Sequence, residues 1–151
     1  MSRQVEDNGV LSACRELGIG FVAYSPLSRG LISDHLTLTD DTQSEFRHHL
    51  PRFQGENLKQ NQRWVQAVRD LAAAQHCSTA QLALAWVLAQ GDFIVPIPGT
   101  RHRQYLLDNI GATDITLTTQ ELAQLNDWSA SHPIAGERYA PDVMKTYHIE
   151  Q

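Results

Sequence analysis

The sequence predicts an α/β fold with parallel strands, and one that forms only a slice of a larger sheet. Three observations lead there. Phe21-Val-Ala-Tyr-Ser-Pro-Leu-Ser-Arg-Gly30 reads as an apolar strand that breaks at Ser25-Pro26 into a polar, glycine-containing loop. The pattern recurs as Phe93-Ile-Val-Pro-Ile-Pro-Gly-Thr-Arg101, again ahead of a helix. Around both runs the apolar residues follow helical spacing, and strands that alternate with helices pair in parallel. Two strands are too few for a self-sufficient parallel sheet. Each is apolar enough to require cover on both faces and a neighbour on both edges.

Val5 to Leu17 places Val10, Leu11, Cys14 and Leu17 on one helical face, and Gly18 is positioned to cap the helix end. Ile19 to Tyr24 is polar only at its terminal hydroxyl, which fits a strand buried on both sides. Residues 25–60 show no sustained periodicity, and a connection of that length is a lid, a binding loop or disordered. Asn61 to Gln75 is an amphipathic helix with Trp64, Val65, Val68, Leu71 and Ala72 as its stripe. Ser78 and Gln81 form a capping box for a helix through Leu88, with Leu82, Ala83, Trp86 and Val87 inward and Gly91 as its stop. Phe93 to Ile97 is the second buried strand. A short helix runs from His102 or Arg103 to Ile110, and Gly111 is placed to end it. Thr118 and Glu121 form a second capping box, for a helix that faces inward at Leu122, Leu125 and Trp128 and closes at Pro133. The tail, 136–151, carries Arg138-Tyr139-Ala-Pro141 and is expected to fold over its neighbours.

The chain has 151 residues, of which 42% are hydrophobic and 19% charged, as in a globular protein of one domain. Its net charge of −5 speaks against nucleic-acid or anionic-membrane binding through bulk charge. Met1 is followed, Val5 apart, by polar and charged residues through Asn8 and no apolar run reaches membrane-span length, so a cytoplasmic location is expected. Cys14 and Cys77 lack redox-motif spacing and read as reduced core thiols. His48-His49 and His76-Cys77 are adjacent pairs whose side chains diverge by about 100° on a helix, so no metal site is expected. Asp40-Asp41 reads as a solvated loop, and Trp64, Trp86 and Trp128 as core. Arg47 and Arg52 are either phosphate contacts or surface cations.

Amides in a loop that leads into a helix N-terminus point at an anion, and the helix dipole adds to the attraction. Pro98-Gly99-Thr100 has that placement: Gly99 admits a phosphate closely, Thr100 adds a hydroxyl, and Arg101 adds a charge-assisted bond. Asp108 and Asn109 are placed to reach a purine edge. Ser25 and the amides from Leu27 to Gly30 suit a second phosphate, and Tyr24 offers a flat aromatic face.

Glu16-Leu-Gly-Ile-Gly-Phe-Val-Ala-Tyr-Ser-Pro-Leu-Ser-Arg-Gly-Leu31 resembles the seventh-strand segment of the aldo-keto reductases. Ile97-Pro-Gly-Thr-Arg101 through Leu107-Asp-Asn-Ile-Gly-Ala112 resembles the eighth strand and following helix of that family. Pro51-Arg-Phe-Gln-Gly-Glu-Asn57, Gln81-Leu-Ala-Leu-Ala-Trp-Val-Leu88 and Gly136-Glu-Arg-Tyr139 are similar to its bacterial and plant branch. The resemblance covers essentially all of 1–151. It implies the C-terminal segment of a TIM (β/α)₈ barrel, with the last two strands and their helices, and NADP(H) bound at the strand ends. It places Tyr24 at the nicotinamide, and Ser25, Leu27, Arg29 and Gly30 around the pyrophosphate. Pro98, Gly99, Thr100 and Arg101 fall at the 2′-phosphate, and Asp108 and Asn109 at the adenine. Ser28 stands where the branch usually has glycine, and Asp108 where glutamate is common.

A whole barrel takes about 250 residues and eight strands. The family's catalytic Asp, Tyr, Lys and His lie in its first half, and no position here matches their motifs. Tyr24, Tyr105, Tyr139 and Tyr147 are therefore not assigned to that role. The resemblance implies a cofactor-holding part, inactive alone, that acts on a small carbonyl substrate only when the barrel is completed by pairing with the missing half. The alternative is a non-catalytic module that uses its open strand edges to self-associate, with nucleotide binding weakened or lost.

Overall fold

The computed structural model describes residues 3–34, 36 and 46–146. Asp40-Asp41 and Tyr147 lie outside the described residues. Two strands, β1 (Phe21–Tyr24) and β2 (Ile94–Ile97), pair in parallel with Phe21 opposite Ile94 and Tyr24 opposite Ile97. The parallel pairing and the two-strand sheet match the expectation. Burial on both faces does not. Phe21, Ala23 and Ile94 turn toward the helices, but Val22 (57% exposed), Tyr24 (52%), Val95 (55%) and Ile97 (52%) form an open apolar face. The residue types report what the strands need to bury, and the described residues supply cover for one face only.

The expected helix over 5–17 is two helices, α1 (Gln4–Asp7) and α2 (Val10–Glu16). Gly9 separates them in a left-handed conformation, φ +82°. Neither helix has a buried residue, and Leu17, expected on the inner face, is 71% exposed. Gly18 closes α2 as expected. With φ at +66°, its N–H reaches the Arg15 carbonyl, and the Ile19 N–H reaches that of Cys14, the paired bonds of a Schellman turn.

The stretch over 25–60 holds more order than its sequence suggests. It contains 3₁₀ turns at Ser28–Gly30, Phe46–His49 and Pro51–Phe53, and α3 (Gly55–Ala74) begins six residues earlier than predicted. Leu31, Leu50, Phe53 and Val65 make one core cluster. Val68, Ala72, Leu82 and Leu125 make a second, and Trp64 packs against both. Leu71 is not part of the stripe and faces outward.

Helix α4 (Thr79–Leu88) is enclosed, touching α3, β2 and α5 (Arg103–Gly111). Leu82, Leu84 and Ala85 are all buried, so it has no solvent face to set an amphipathic pattern. Both bonds of its Ser78/Gln81 capping box form, as do those of Thr118/Glu121 at α6 (Thr119–Ser131). Gly111 is not a stop: it keeps helical geometry, and a 3₁₀ turn, Ala112–Asp114, follows. Its missing side chain makes room instead, since a Cβ there would lie 2.5 Å from Gln81 Nε2.

The described part of the tail, 136–146, folds back as expected and includes α7 (Pro141–Thr146). Asn61, fully buried, holds it with three hydrogen bonds. Its amide nitrogen donates to the Arg52 and Ala135 carbonyls (both 2.9 Å), and its oxygen accepts from the Ala135 N–H (2.8 Å). No helix among the described residues is long and apolar enough to cross a membrane.

Candidate functional site

The in-register pairing of Tyr24 with Ile97 makes both strands end at the same level, so the loops beginning at Ser25 and Pro98 leave the sheet side by side. The first loop is wound tightly, with positive φ at Ser25 (+49°), Ser28 (+49°), Arg29 (+57°) and Gly30 (+86°). Left-handed geometry at a non-glycine residue costs about 1–2 kcal/mol, and such strain gathers at ligand sites. The turn is pinned by Ser28 N–H to the Ser25 carbonyl (2.9 Å) and Gly30 N–H to that of Leu27 (3.0 Å).

In the second loop Gly99 is exposed, and no atom lies within 4 Å of where its Cβ would be. That space suits close approach of a phosphate. Thr100 Oγ1 accepts from the His102 N–H (3.2 Å), fixing the turn into α5, whose first residue has no side-chain cap. A helix start without a side-chain cap and the exposed Arg101 make a donor set that fits an anion. Asp108 and Asn109 are arranged differently. The Asp108 carboxylate accepts from Ser78 Oγ (2.8 Å) at the start of α4, so turning to a base would break that bond. Asn109 is buried on the inner side of α5.

Tyr24 does not stand free. Arg138 Nη1 donates to its hydroxyl (2.7 Å), and the same guanidinium lies 5.9 Å from the ring centre. Arg138 also bonds Gln4 Oε1 (3.1 Å), while its carbonyl accepts from Arg29 Nη1 (3.4 Å). Arg29 lies over the Tyr139 ring at 4.6 Å. Arg52 donates to the Gly136 carbonyl (3.1 Å). Burial lowers the Arg52 pKa, and the Arg138 charge lowers it further against the opposing pull of Glu137. Three guanidiniums thus converge beside β1. Arg138 and Asn61 are the residues that sequence reasoning missed. The available signal for Asn61 was a polar residue in register with Val65, Val68 and Ala72, where only a satisfied amide can be buried.

Among the described residues no cluster of three or more His, Cys, Asp or Glu side chains could hold a metal. Burial raises the Cys77 thiol pKa, with Asp108 and Asp34 adding to the effect, which leaves it a poor nucleophile.

The sequence profile of the aldo/keto reductase family matches residues 1–130. The NADP(+) aldo-keto reductase yakc of Schizosaccharomyces pombe is 39% identical over 134 residues, which is 88% of this chain and 39% of that protein. A thermostable aldo-keto reductase solved with the inhibitor epalrestat superposes with TM-score 0.57 at 26% identity, over 84% of this chain and 36% of its own. The glycerol dehydrogenase AKR11B4 of Gluconobacter oxydans shares the fold with TM-score 0.74 at 24% identity, over 93% of this chain and 42% of its own. The chain therefore spans well under half the length of these relatives. With a family profile covering residues 1–130 of its 151, the chain belongs to the aldo/keto reductase family.

Proposed function

We propose that this chain is the C-terminal, NADPH-holding part of an aldo-keto reductase, equivalent to the last two strands of its barrel with their helices. The observation that carries this reading is the Tyr24–Ile97 register, which brings the two loops to one end of the sheet. On this reading Tyr24 lies beside the nicotinamide, with Ser25, Leu27, Arg29 and Gly30 around the pyrophosphate. Pro98, Gly99, Thr100 and Arg101 take the 2′-phosphate, and Asp108 and Asn109 face the adenine once Asp108 releases Ser78 and Asn109 leaves its buried position. Bound NADPH supplies a hydride. What the chain's residues do is bind and orient the cofactor. Tyr24, whose hydroxyl oxygen accepts a hydrogen bond from Arg138, is read here as a ring beside the nicotinamide and is not assigned the family's acid role. Reduction of an aldehyde or ketone then requires the Asp, Tyr, Lys and His of the other part of the barrel, and a cytoplasmic setting supplies NADPH.

The second reading is a non-catalytic module that self-associates. Its support is the exposure of Val22, Val95 and Ile97, an apolar sheet face with open edges. Titration with NADPH, following nicotinamide and tryptophan emission beside a carbonyl-reduction assay, separates the two. Saturable binding without turnover is expected. Turnover by this chain would show that the acid–base groups are not elsewhere. No binding at millimolar NADPH, with concentration-dependent sedimentation, would favour the module.

A further inference from the structure

A cavity of about 230 Å³ lies between the helix-facing side of the sheet and helices α3, α4 and α6. Much of its wall is apolar: Val68, Leu82, Ile94 and Leu125 are buried there, and Trp64, Trp86 and Trp128 line it as well. The lining also includes the polar side chains of Ser25, Ser28, Arg29, Arg52 and Arg138, and the three guanidiniums lie close enough to one another to interact. Gly99, Thr100 and Arg101 are not among its lining residues, so it extends away from the second cofactor loop.

We propose that this cavity binds a small amphiphilic oxyanion, an alkyl carboxylate or alkyl phosphate, with its tail against Leu82 and Trp86 and its head among Arg29, Arg52 and Arg138. The inference goes beyond the NADPH reading and does not require it, although Tyr24, Ser25 and Arg29 line the cavity and belong to that reading as well, so each ligand is titrated in the absence of the other. The apolar end would gain by displacing water, and three convergent guanidiniums suit a planar or tetrahedral oxyanion. Charge in the wall agrees with this. Glu6, the carboxylate on the lining, is paired with Arg3, which leaves it little repulsion for an anion. The mutual repulsion and burial that disfavour the charged form of Arg52 would be relieved by a negative head group beside it.

The chain contains three tryptophans, and all three line the cavity, so their emission reports on its filling. The intact chain should be titrated with decanoate and decyl phosphate, and in parallel with decanol and butyrate. Both decyl anions should give saturable tryptophan changes below their micellar concentrations, and decanol and butyrate at least about tenfold weaker ones. Arg138→Gln should weaken decanoate by about tenfold. Ala83→Phe, which fills the apolar end, should abolish the response while circular dichroism stays unchanged. Decanol binding as tightly as decanoate, no chain-length dependence, or no saturable response would overturn the proposal. NADPH titrated alone on the same preparations follows nicotinamide emission. Loss of that signal with decanoate binding intact would sink the cofactor reading alone.

Discussion

Asn61→Leu isolates the most concentrated polar anchor in the fold. Leucine has the same branched heavy-atom skeleton, with bulkier methyl ends, but cannot bond, so the substitution leaves the Arg52 carbonyl and both the N–H and C=O of Ala135 without their partner. Three hydrogen bonds contribute about 1 kcal/mol each in net terms, and a buried group left unsatisfied costs about 1–3 kcal/mol. For three such groups the full penalty is therefore roughly 3–9 kcal/mol, a large part of the 5–15 kcal/mol typical of a domain. Opening of the tail would let water reach Ala135 and would cap the loss near 3 kcal/mol. Urea denaturation followed by circular dichroism should show that loss at unchanged m. Trypsin should also cleave at Arg138 faster than in the wild type. A loss under about 1 kcal/mol, with Arg138 still protected, would refute the claim that Asn61 holds the tail.

Gly111→Ala sets a helix-propensity gain of about 1 kcal/mol against displacement of Gln81, whose side chain completes the α4 capping box. No stabilisation, or a loss of about 1 kcal/mol by thermal melting, is expected in place of the usual gain. Ser28→Gly removes a left-handed penalty of about 1–2 kcal/mol and restores about 0.5–1 kcal/mol of unfolded-chain entropy, so urea denaturation should show no loss. Asp34 gives a pH test. Burial raises its pKa, but hydrogen bonds from Thr79 and Arg69 outweigh burial and leave it lowered. A depressed folded-state pKa contributes stability above the unfolded value, near pH 4, that is lost as pH falls through the folded one. The stability gap between wild type and Asp34→Asn should thus be widest at neutral pH and close below about pH 4.

The features legible in the sequence were the ones that close over a few residues. Ser78/Gln81, Thr118/Glu121 and Gly18 each need only neighbours within one or two turns, so residue type and spacing decide them. Strand pairing was legible at the level of type, because two apolar runs separated by helices have one natural arrangement. Features that depend on distant residues were not. Gly111 looks like a stop until Gln81, thirty residues earlier in the chain, is seen to need its space. The open sheet face shows the same limit, since Val22 and Ile97 state that they need cover and not whether cover is there. At the site itself, the loop residues were readable from Ser-Pro and Pro-Gly-Thr. The Tyr24–Arg138 contact, spanning 114 residues, was not.

That contact explains why the first loop can hold its strained form. Three non-glycine residues in left-handed geometry represent about 3–6 kcal/mol, and the loop's four backbone hydrogen bonds, at about 1 kcal/mol each, offset only part of that once the ordering of the loop is included. The remainder comes from the tail: Arg29 bonds the Arg138 carbonyl and stacks on Tyr139, and Arg138 in turn holds Tyr24. The tail is itself fixed by Asn61 and by the close fit of Gly136 against Pro51, where a Cβ would lie 3.0 Å from backbone atoms. Loop and tail are therefore one mechanical unit, although the sequence places them at opposite ends of the chain. A substitution at Asn61, far from either anion loop in sequence, should loosen Ser25 to Gly30 before it disturbs Pro98 to Arg101, whose turn depends on Thr100 and not on the tail.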